Sequence, residues 1–459
     1  MSGTFENLDV PPTLVSFAVT TDKVDNIVSP EFKKAGNKVI KLTPEFDADH
    51  LPVTESLLKI FDKVTALQRS GKAVASYTPG FGGVAEAVMK MCLGNGLGFK
   101  YEDGIKVEDI FNYSYGSFIL EVTPDTQEGE TLGYITEEAV ITLGGEKVCL
   151  EGLLKIYEDK LESVFSCNID QASSKVETFS YEAAERKAPA IKVARPKVLI
   201  PVFPGTNCEF DSAKAMEDAG AESKIMVINN LSADGIARSV EEFAKELKTA
   251  QMVFIPGGFS GGDEPDGSGK FITAFFRNAA VKEQVTELLE NRDGLMCGIC
   301  NGFQAVIKLG LVPYGKIMDS DENMPTLTFN TIARHQSRIV RTRIASNMSP
   351  WLADTNVGDI YNVPISHGEG RFLADEKTIL ELAKNGQIAT QYVDFSGEAT
   401  NDIHFNPNDS MYAIEGITSP DGRVFGKMGH SERIGYGLDK NVPGDYEIKM
   451  FKSAVKYFK

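Results

Sequence analysis

A chain of 459 residues is too long for one ordinary domain, and its hydrophobic share of 42% is that of a globular protein with real cores. The formal net charge of −18 argues against a general nucleic-acid binder and against an anionic membrane surface, since both reward basic patches. No apolar run approaches the roughly 20 residues of a bilayer span, and the opening MSGTFENLDV lacks a signal peptide's basic and apolar regions, so a cytoplasmic location is expected.

In chain order, Leu14–Thr20, Lys38–Leu42 and Ala73–Tyr77 read as strands. Glu55–Arg69 reads as a helix, with Leu57, Leu58, Ile60, Phe61, Val64 and Leu67 on one side. Gly82-Gly83 opens a second helix through Val84, Val88, Met89 and Cys92. Phe118–Val122 and Ala139–Thr142 add strands, and Leu150–Leu161 another helix. This is the pattern of a smaller α/β or α+β domain over residues 1–165, without a metal-ligand cluster. Ser166–Arg195 is polar and weakly periodic, and reads as a linker or extended connection.

The pattern is sharper over 196–459. Val198–Val202 is a buried-type strand followed by PGTNCEFD, where Thr206, Asn207 or Asp211 is expected to cap a helix through Ala219. Lys224–Ile228 and Met252–Ile255 read as strands, Ser239–Leu247 as a helix. Ile272–Leu289 reads as one long helix, Gly294–Ile299 as a strand and Asn301–Leu309 as a helix. Such alternation predicts an α/β fold with a mostly parallel central sheet flanked by helices. Ligands in such sheets sit at the carboxyl ends of strands, where PGGFSGGD and CGICNGFQ both fall.

Six cysteines (Cys92, Cys149, Cys167, Cys208, Cys297 and Cys300) are sparse and irregularly spaced, so reduced thiols are expected. Cys297-x-x-Cys300 has the spacing of half a zinc site, but no second Cys/His pair matches it, and no metal is expected. A thioredoxin-like pair would open a helix together, whereas Cys297 falls inside the apolar strand. Cys300 lies in G-I-C-N-G, a nucleophile elbow with cysteine in the serine position. Small flanking residues permit the strained bend, and the following helix points its N–H groups at the sulfur. A buried cysteine in a tight turn is the plainer alternative.

A nucleophilic cysteine needs a base, and the base an orienter. GKMGHSERIG offers His430 and Glu432, two residues apart and on the same face of an extended segment. His335 (ARHQSR) and His367 (SHGEGR, with Glu369 two residues on) are rivals. Arg341 and Arg343 share one face of a strand, Arg334 and Arg338 the other. This is either a solvated surface or a local basic run for a phosphate or an acidic partner.

GICNGFQ, PGGFSGGD and GHSE, in this order and separation, resemble a class I, triad-type glutamine amidotransferase domain from about Lys197 onward. The resemblance implies that Cys300 attacks the side-chain amide of L-glutamine, with His430 as base and then acid and Glu432 as its orienter. It further implies oxyanion donors at the Gly258 and Asn301 main chain, and a place for Gln304 in seating the substrate. VLIPVFPGTNCEFDSAKAMEDAGA, LTFNTIARHQSRIVRTRI and VPISHGEGRF resemble the glutaminase end of the phosphoribosylformylglycinamidine synthase family. That family forms an amidine from formylglycinamide ribonucleotide in de novo purine biosynthesis. PTLVSFAV, SPEFKKAGNKVIKL and the Gly82-Gly83 helix opening resemble the aminoimidazole-ribonucleotide-synthase-like C-terminal half-domain of its large type.

By this resemblance Asn207, Arg334, His335, His367 and Glu369 are candidate substrate or interdomain contacts. The glutaminase step needs no cofactor, while the complete synthetase uses ATP and Mg²⁺. The chain is shorter than the family's complete polypeptide and is expected to be its C-terminal portion, partnered by the remaining N-terminal synthetase domains or subunit. GGFSGGDEPDGSGK departs from the GGFSYGD form, so the loop Gly257–Gly269 is expected to be more mobile. Two other readings stand beside this one. In a cysteine hydrolase or stress protein of the intracellular-protease-like superfamily a His directly follows the cysteine, where this chain has Asn301. The third reading is a catalytically dormant assembly module.

Overall fold

A computed structural model describes residues 3–5, 8–185, 188–260, 269–435, 437–439 and 441–459. The chain divides into two compact units, Met1–Phe165 with Gly437–Asn441, and Ser166–Tyr436 with Val442–Lys459. Among the described residues no helix is long and apolar enough to cross a membrane.

The first unit is built on a seven-stranded, largely antiparallel sheet. Its strand order is Ala73–Tyr77, Phe118–Val122, Lys38–Leu42, Glu130–Thr136, Gly98–Tyr101, Val140–Leu143 and Glu146–Cys149. Alternation along the strands divides the apolar side chains between two faces. Ile40, Leu42, Leu120 and Val122 pack with Val64 and Leu67 of the helix Thr54–Arg69. Val39 and Ile119 pack instead with Val84, Val88 and Met91 of the helix Gly83–Leu93. Gly82-Gly83 does open that helix, and its first turn is already filled by a carboxylate: Gly82 N–H donates to Glu86 Oε2 at 2.8 Å. Leu14–Thr20, expected as a strand, lies outside every sheet, with Leu14 and Phe17 exposed. The run is apolar, but among the described residues no neighbouring strand supplies the ladder bonds that a strand needs.

The second unit carries a nine-stranded sheet in the order Glu222–Val227, Lys197–Val202, Met252–Ile255, Leu295–Ile299, Val424–Lys427, Ile414–Thr418, Ile388–Tyr392, Gln336–Ile344 and Ile360–His367. The first five strands are mutually parallel and the remainder antiparallel. The inner parallel strands read as continuous apolar runs because helices cover them; Met252–Ile255 and Leu295–Ile299 are buried throughout, while the edge strand Glu222–Val227 is largely not.

Two local expectations change. The stretch Ile272–Leu289 is two helices, Lys270–Phe276 and Ala279–Glu290. Asn278 between them caps the second by accepting from Ala280 N–H at 3.0 Å. Helix Glu209–Asp218 has Cys208, not Thr206, Asn207 or Asp211, at its N-cap. Thr206 Oγ1 is used earlier, accepting from Phe203 N–H at 3.1 Å. The described residues of Ser166–Arg195 form no helix or ladder strand and are tied onto the second unit. Val176, Tyr181 and Val193 N–H donate to Ala399, Ala345 and Phe458 carbonyls, and Phe179 is buried.

Candidate active site

The strand Leu295–Ile299 ends in a sharp bend at Cys300, whose φ of 52° and ψ of −107° place it in strained backbone space before the helix Asn301–Lys308. Two glycines make the bend possible by close approach. A Cβ on Gly298 would lie 2.4 Å from the Gly302 carbonyl oxygen, and one on Gly302 would lie 2.1 Å from the Ile255 carbonyl oxygen. Gly302→Ala is therefore expected to cost at least about 1–3 kcal/mol, since backbone must shift to admit the methyl. A lowered urea midpoint checks this, and an unchanged one would contradict it.

Cys300 N–H donates to Lys427 O at 2.9 Å, and its thiol to Ser366 O at 3.7 Å. Asn301 occupies the first helical position, so its N–H has no acceptor within the helix and faces the bend. Its side chain accepts from Ser260 N–H at 3.2 Å and donates to Gln304 Oε1 at 2.8 Å. Gln304 in turn donates to Glu369 O at 2.6 Å. Gln304, expected to seat a substrate, thus has its amide engaged in holding Asn301 and the strand Glu369–Leu373. Cys297 is wholly buried in the strand, and burial pushes its thiol pKa well up.

The opposite wall is the PGG turn after Met252–Ile255. Gly258, at φ 147°, dovetails with Gly205–Asn207, and a Cβ there would lie 2.5 Å from Gly205 O. The altered stretch 261–268, on which the mobility expectation rests, lies outside the described residues.

His430 and Glu432 come together, though not as an extended pair. The strand Val424–Lys427 has ended, and a turn carries them: Arg433 N–H donates to His430 O at 3.2 Å. Their side chains are buried and joined, His430 Nδ1 to Glu432 Oε1, at 2.7 Å. With Nδ1 committed to the carboxylate, Nε2 is the nitrogen left to take a proton, and no described group satisfies it. The ring faces Cys300 across Gly257; a Cβ on Gly257 would lie 2.6 Å from His430 Cε1 and 3.4 Å from Cys300 Cβ. Burial opposes charge on His430, yet Glu432 and Cys300 raise its pKa well above the ordinary histidine value. Burial likewise opposes the Glu432 charge, and His430 reverses this to hold the carboxyl below its usual range. Together these favour an imidazolium–carboxylate pair.

Sequence reasoning missed three neighbours. Cys208 Sγ lies 3.8 Å from His430 Nδ1 and accepts from Arg433 Nη2 at 2.9 Å. Lys427 is fully buried, and its ammonium donates to Gly429 O at 3.0 Å and Ser431 Oγ at 2.9 Å, on either side of His430. Glu415, also fully buried, lies 3.3 Å from Lys427 Nζ and accepts from Gly429 N–H at 2.6 Å. A lysine inside the apolar run VFGKMG was the available signal.

The other candidates sit around this centre. His335 Nε2 is 3.0 Å from Ser366 Oγ, one residue from the buried His367. Neither ring nitrogen of His367 has a hydrogen-bond partner among the described residues. Burial, then the charges of His430 and His335, lowers its pKa to about 3, so it is neutral near pH 7 and a poor base. Its folded pKa lies below the unfolded value, so the associated stability is intact above about pH 6.5 and is lost as pH falls toward 3. At pH 5 the cost is about 2 kcal/mol. His367→Gln should flatten the decline of the urea midpoint from pH 7 to 5, and an unaltered slope would contradict this.

The basic run is not an open anion site. Arg334 donates to Ser166 O, Arg338 to Gln336 Oε1 and Ile403 O, Arg341 to Asp394 O, and Arg343 to Phe179 O and Ser180 Oγ. Asn207 is exposed, with its side chain accepting from the Cys208 thiol at 3.0 Å.

Residues 195–458 match the family described as the CobB/CobQ-like glutamine amidotransferase domain. The chain belongs to that family. It is a glutamine amidotransferase, with the α/β fold expected of one. A Methanococcus maripaludis protein named phosphoribosylformylglycinamidine synthase subunit PurQ is 36% identical over 286 residues, which is 58% of this chain and 99% of that one. The PurQ subunit of Treponema denticola is 37% identical over 282 residues, covering 57% and 99%. A solved structure titled PurLQS from Thermotoga maritima overlaps 58% of this amidotransferase and 100% of its own chain, at 23% identity and a TM-score of 0.42.

Proposed function

We propose that this amidotransferase hydrolyses L-glutamine with Cys300 as nucleophile, His430 as base and then acid, and Glu432 as orienter. The ammonia would feed the ATP-dependent conversion of formylglycinamide ribonucleotide to its amidine in purine biosynthesis. One observation carries the reading: a cysteine on a strained elbow faces a buried imidazole whose Nδ1 is held by a carboxylate. Cys300 passes its thiol proton to His430 Nε2, which forms the imidazolium that Glu432 stabilises, and the resulting thiolate attacks the amide carbon. Gly258 and Asn301 N–H groups are assigned to the oxyanion. The same proton then passes to the departing nitrogen, the C–N bond breaks, and water resolves the thioester. Gln304 is assigned to positioning Asn301, because its amide is already shared with Asn301 and Glu369.

The PurQ names of its relatives support the synthetase context, with a synthetase subunit or domains as partner. Residues 1–165 are proposed as the aminoimidazole-ribonucleotide-synthase-like half-domain of a large-type enzyme, 166–195 as the connection and 196–459 as the glutaminase. ATP and Mg²⁺ belong to the complete synthetase reaction in this proposal. The stress-protein alternative is disfavoured by Asn301, which holds Ser260 and Gln304 where that superfamily needs a histidine. A glutamate-release assay with and without Cys300→Ala, alone and with a synthetase partner, formylglycinamide ribonucleotide and Mg-ATP, tests the proposal. Release that needs Cys300 and rises with the partner supports it. Release independent of Cys300 rejects it, and release indifferent to the partner rejects the synthetase context.

A further inference from the structure

Cys208 is a wholly buried thiol beside the triad that glutamine hydrolysis does not use. Its Sγ, a His430 ring nitrogen and a Glu432 oxygen all lie within 4.8 Å of one another. Glu432 Oε1 holds His430, but the buried Oε2 has no hydrogen-bond partner among the described residues. An orphaned carboxylate oxygen beside a thiol and an imidazole is a costly arrangement unless something occupies it.

We propose that Cys208, His430 and Glu432 form an inhibitory Zn²⁺ site that switches the glutaminase off. A thiolate, an imidazole and a carboxylate are the donor types zinc selects. Tetrahedral zinc with bonds of about 2.3 Å to sulfur and 2.0 Å to nitrogen holds those two atoms about 3.5 Å apart. Cys208 Sγ and His430 Nδ1 are 3.8 Å apart already. The Nδ1–Oε1 pair, at 2.7 Å, would open by roughly half an ångström as the ion replaces the proton between them. Water fills the fourth position. Arg433, donating to Cys208 Sγ at 2.9 Å, suits a thiolate ligand as an outer hydrogen-bond donor.

The proton balance makes the site inhibitory. Binding releases two protons to solvent, one from the Cys208 thiol and one from His430 Nδ1, whose lone pair then bonds the metal while the imidazolium's Nε2 proton stays. A neutral imidazole bound through Nδ1 carries its hydrogen on Nε2, so that nitrogen no longer accepts the Cys300 proton. The switch therefore rests on the triad reading, whereas the metal site itself does not. Glu432 also lines a cavity of about 540 Å³ whose wall carries Asp218, Asp445 and Glu447 together with Lys214, Lys449 and Lys452. Lys214 and Lys452 in its wall are paired with Asp218 and Glu447.

Co²⁺ serves as the probe, because thiolate-to-cobalt charge transfer reports sulfur ligation without reference to activity. Titration of the full chain should give a charge-transfer band that Zn²⁺ abolishes by displacement. The band should be lost in Cys208→Ser and kept in Cys300→Ala and Cys297→Ala. No band in the wild type, a band surviving Cys208→Ser, or one lost with Cys300→Ala would overturn the site. Should Cys208→Ser misfold, X-ray absorption on zinc bound to Cys300→Ala must show one sulfur ligand, and none would overturn it. Zinc should also abolish glutamate release by the wild type, with recovery on chelation. Cobalt bound through Cys208 with release unaffected by zinc would overturn the switch. Failure of the triad reading would show separately, as metal-free release that survives Cys300→Ala.

Discussion

Replacing Cys300 with Ala is expected to lower glutamate release by roughly four to six orders of magnitude, because each covalent step uses its sulfur. His430→Ala should cost about as much, and the double variant little more, since the residues act as a unit. Glu432→Gln is expected to lose about 10⁴-fold and also to change the pH profile. Glu432 is one cause of the raised His430 pKa, so removing its charge lets His430 lose its proton at lower pH. Departing ammonia needs that proton, so the alkaline limb of the rate profile should move to lower pH. A limb that stays in place would contradict the assigned role of Glu432. His367→Ala should keep its limbs unmoved, because a histidine with a pKa of about 3 titrates outside this range.

The second large effect is expected at Lys427. Its ammonium is fully buried against Glu415, and Lys427→Met would leave that carboxylate without its cation in the interior. Breaking one side of a buried pair costs about 3–5 kcal/mol. The same change releases Gly429 O and Ser431 Oγ, which flank His430, so activity should fall beyond what instability explains. Lys427→Met with Glu415→Gln removes the orphaned charge. It should recover most of the urea midpoint while leaving kcat low, because the turn that presents His430 has then lost the Lys427 bonds to Gly429 O and Ser431 Oγ on either side of it. Recovery of kcat along with stability would show that Lys427 serves the fold alone.

The elbow and the base were legible in the sequence for local reasons. G-I-C-N-G announces a bend because both glycines meet backbone atoms within the same strand–helix unit or the adjacent strand. His430 and Glu432 were legible as a pair because two-residue spacing brings side chains together in a strand or in the turn that carries them. Cys208 was not, because it reaches His430 only through sheet order. The strand Lys197–Val202 lies beside Met252–Ile255, which sets the start of the following helix against a turn more than 200 residues later. Lys427 and Glu415 meet across antiparallel strands, again a pairing that spacing does not encode. The arginines of QSRIVRTRI were legible as charge, but each donates to a carbonyl of a distant segment, at Ile403, Asp394 and Phe179. The break at Asn278 was concealed because apolar periodicity continues across it while the cap resets the helix.

The central claim is that one thiol of the six, Cys300, is the nucleophile. A glutamine-analogue electrophile, followed by peptide mapping of the adduct, tests it most directly. One adduct per chain on Cys300, lost in Cys300→Ala and greatly slowed in His430→Ala, is the predicted result. Labelling on Cys297 or Cys208 in its place, or labelling at an undiminished rate without His430, would contradict the account.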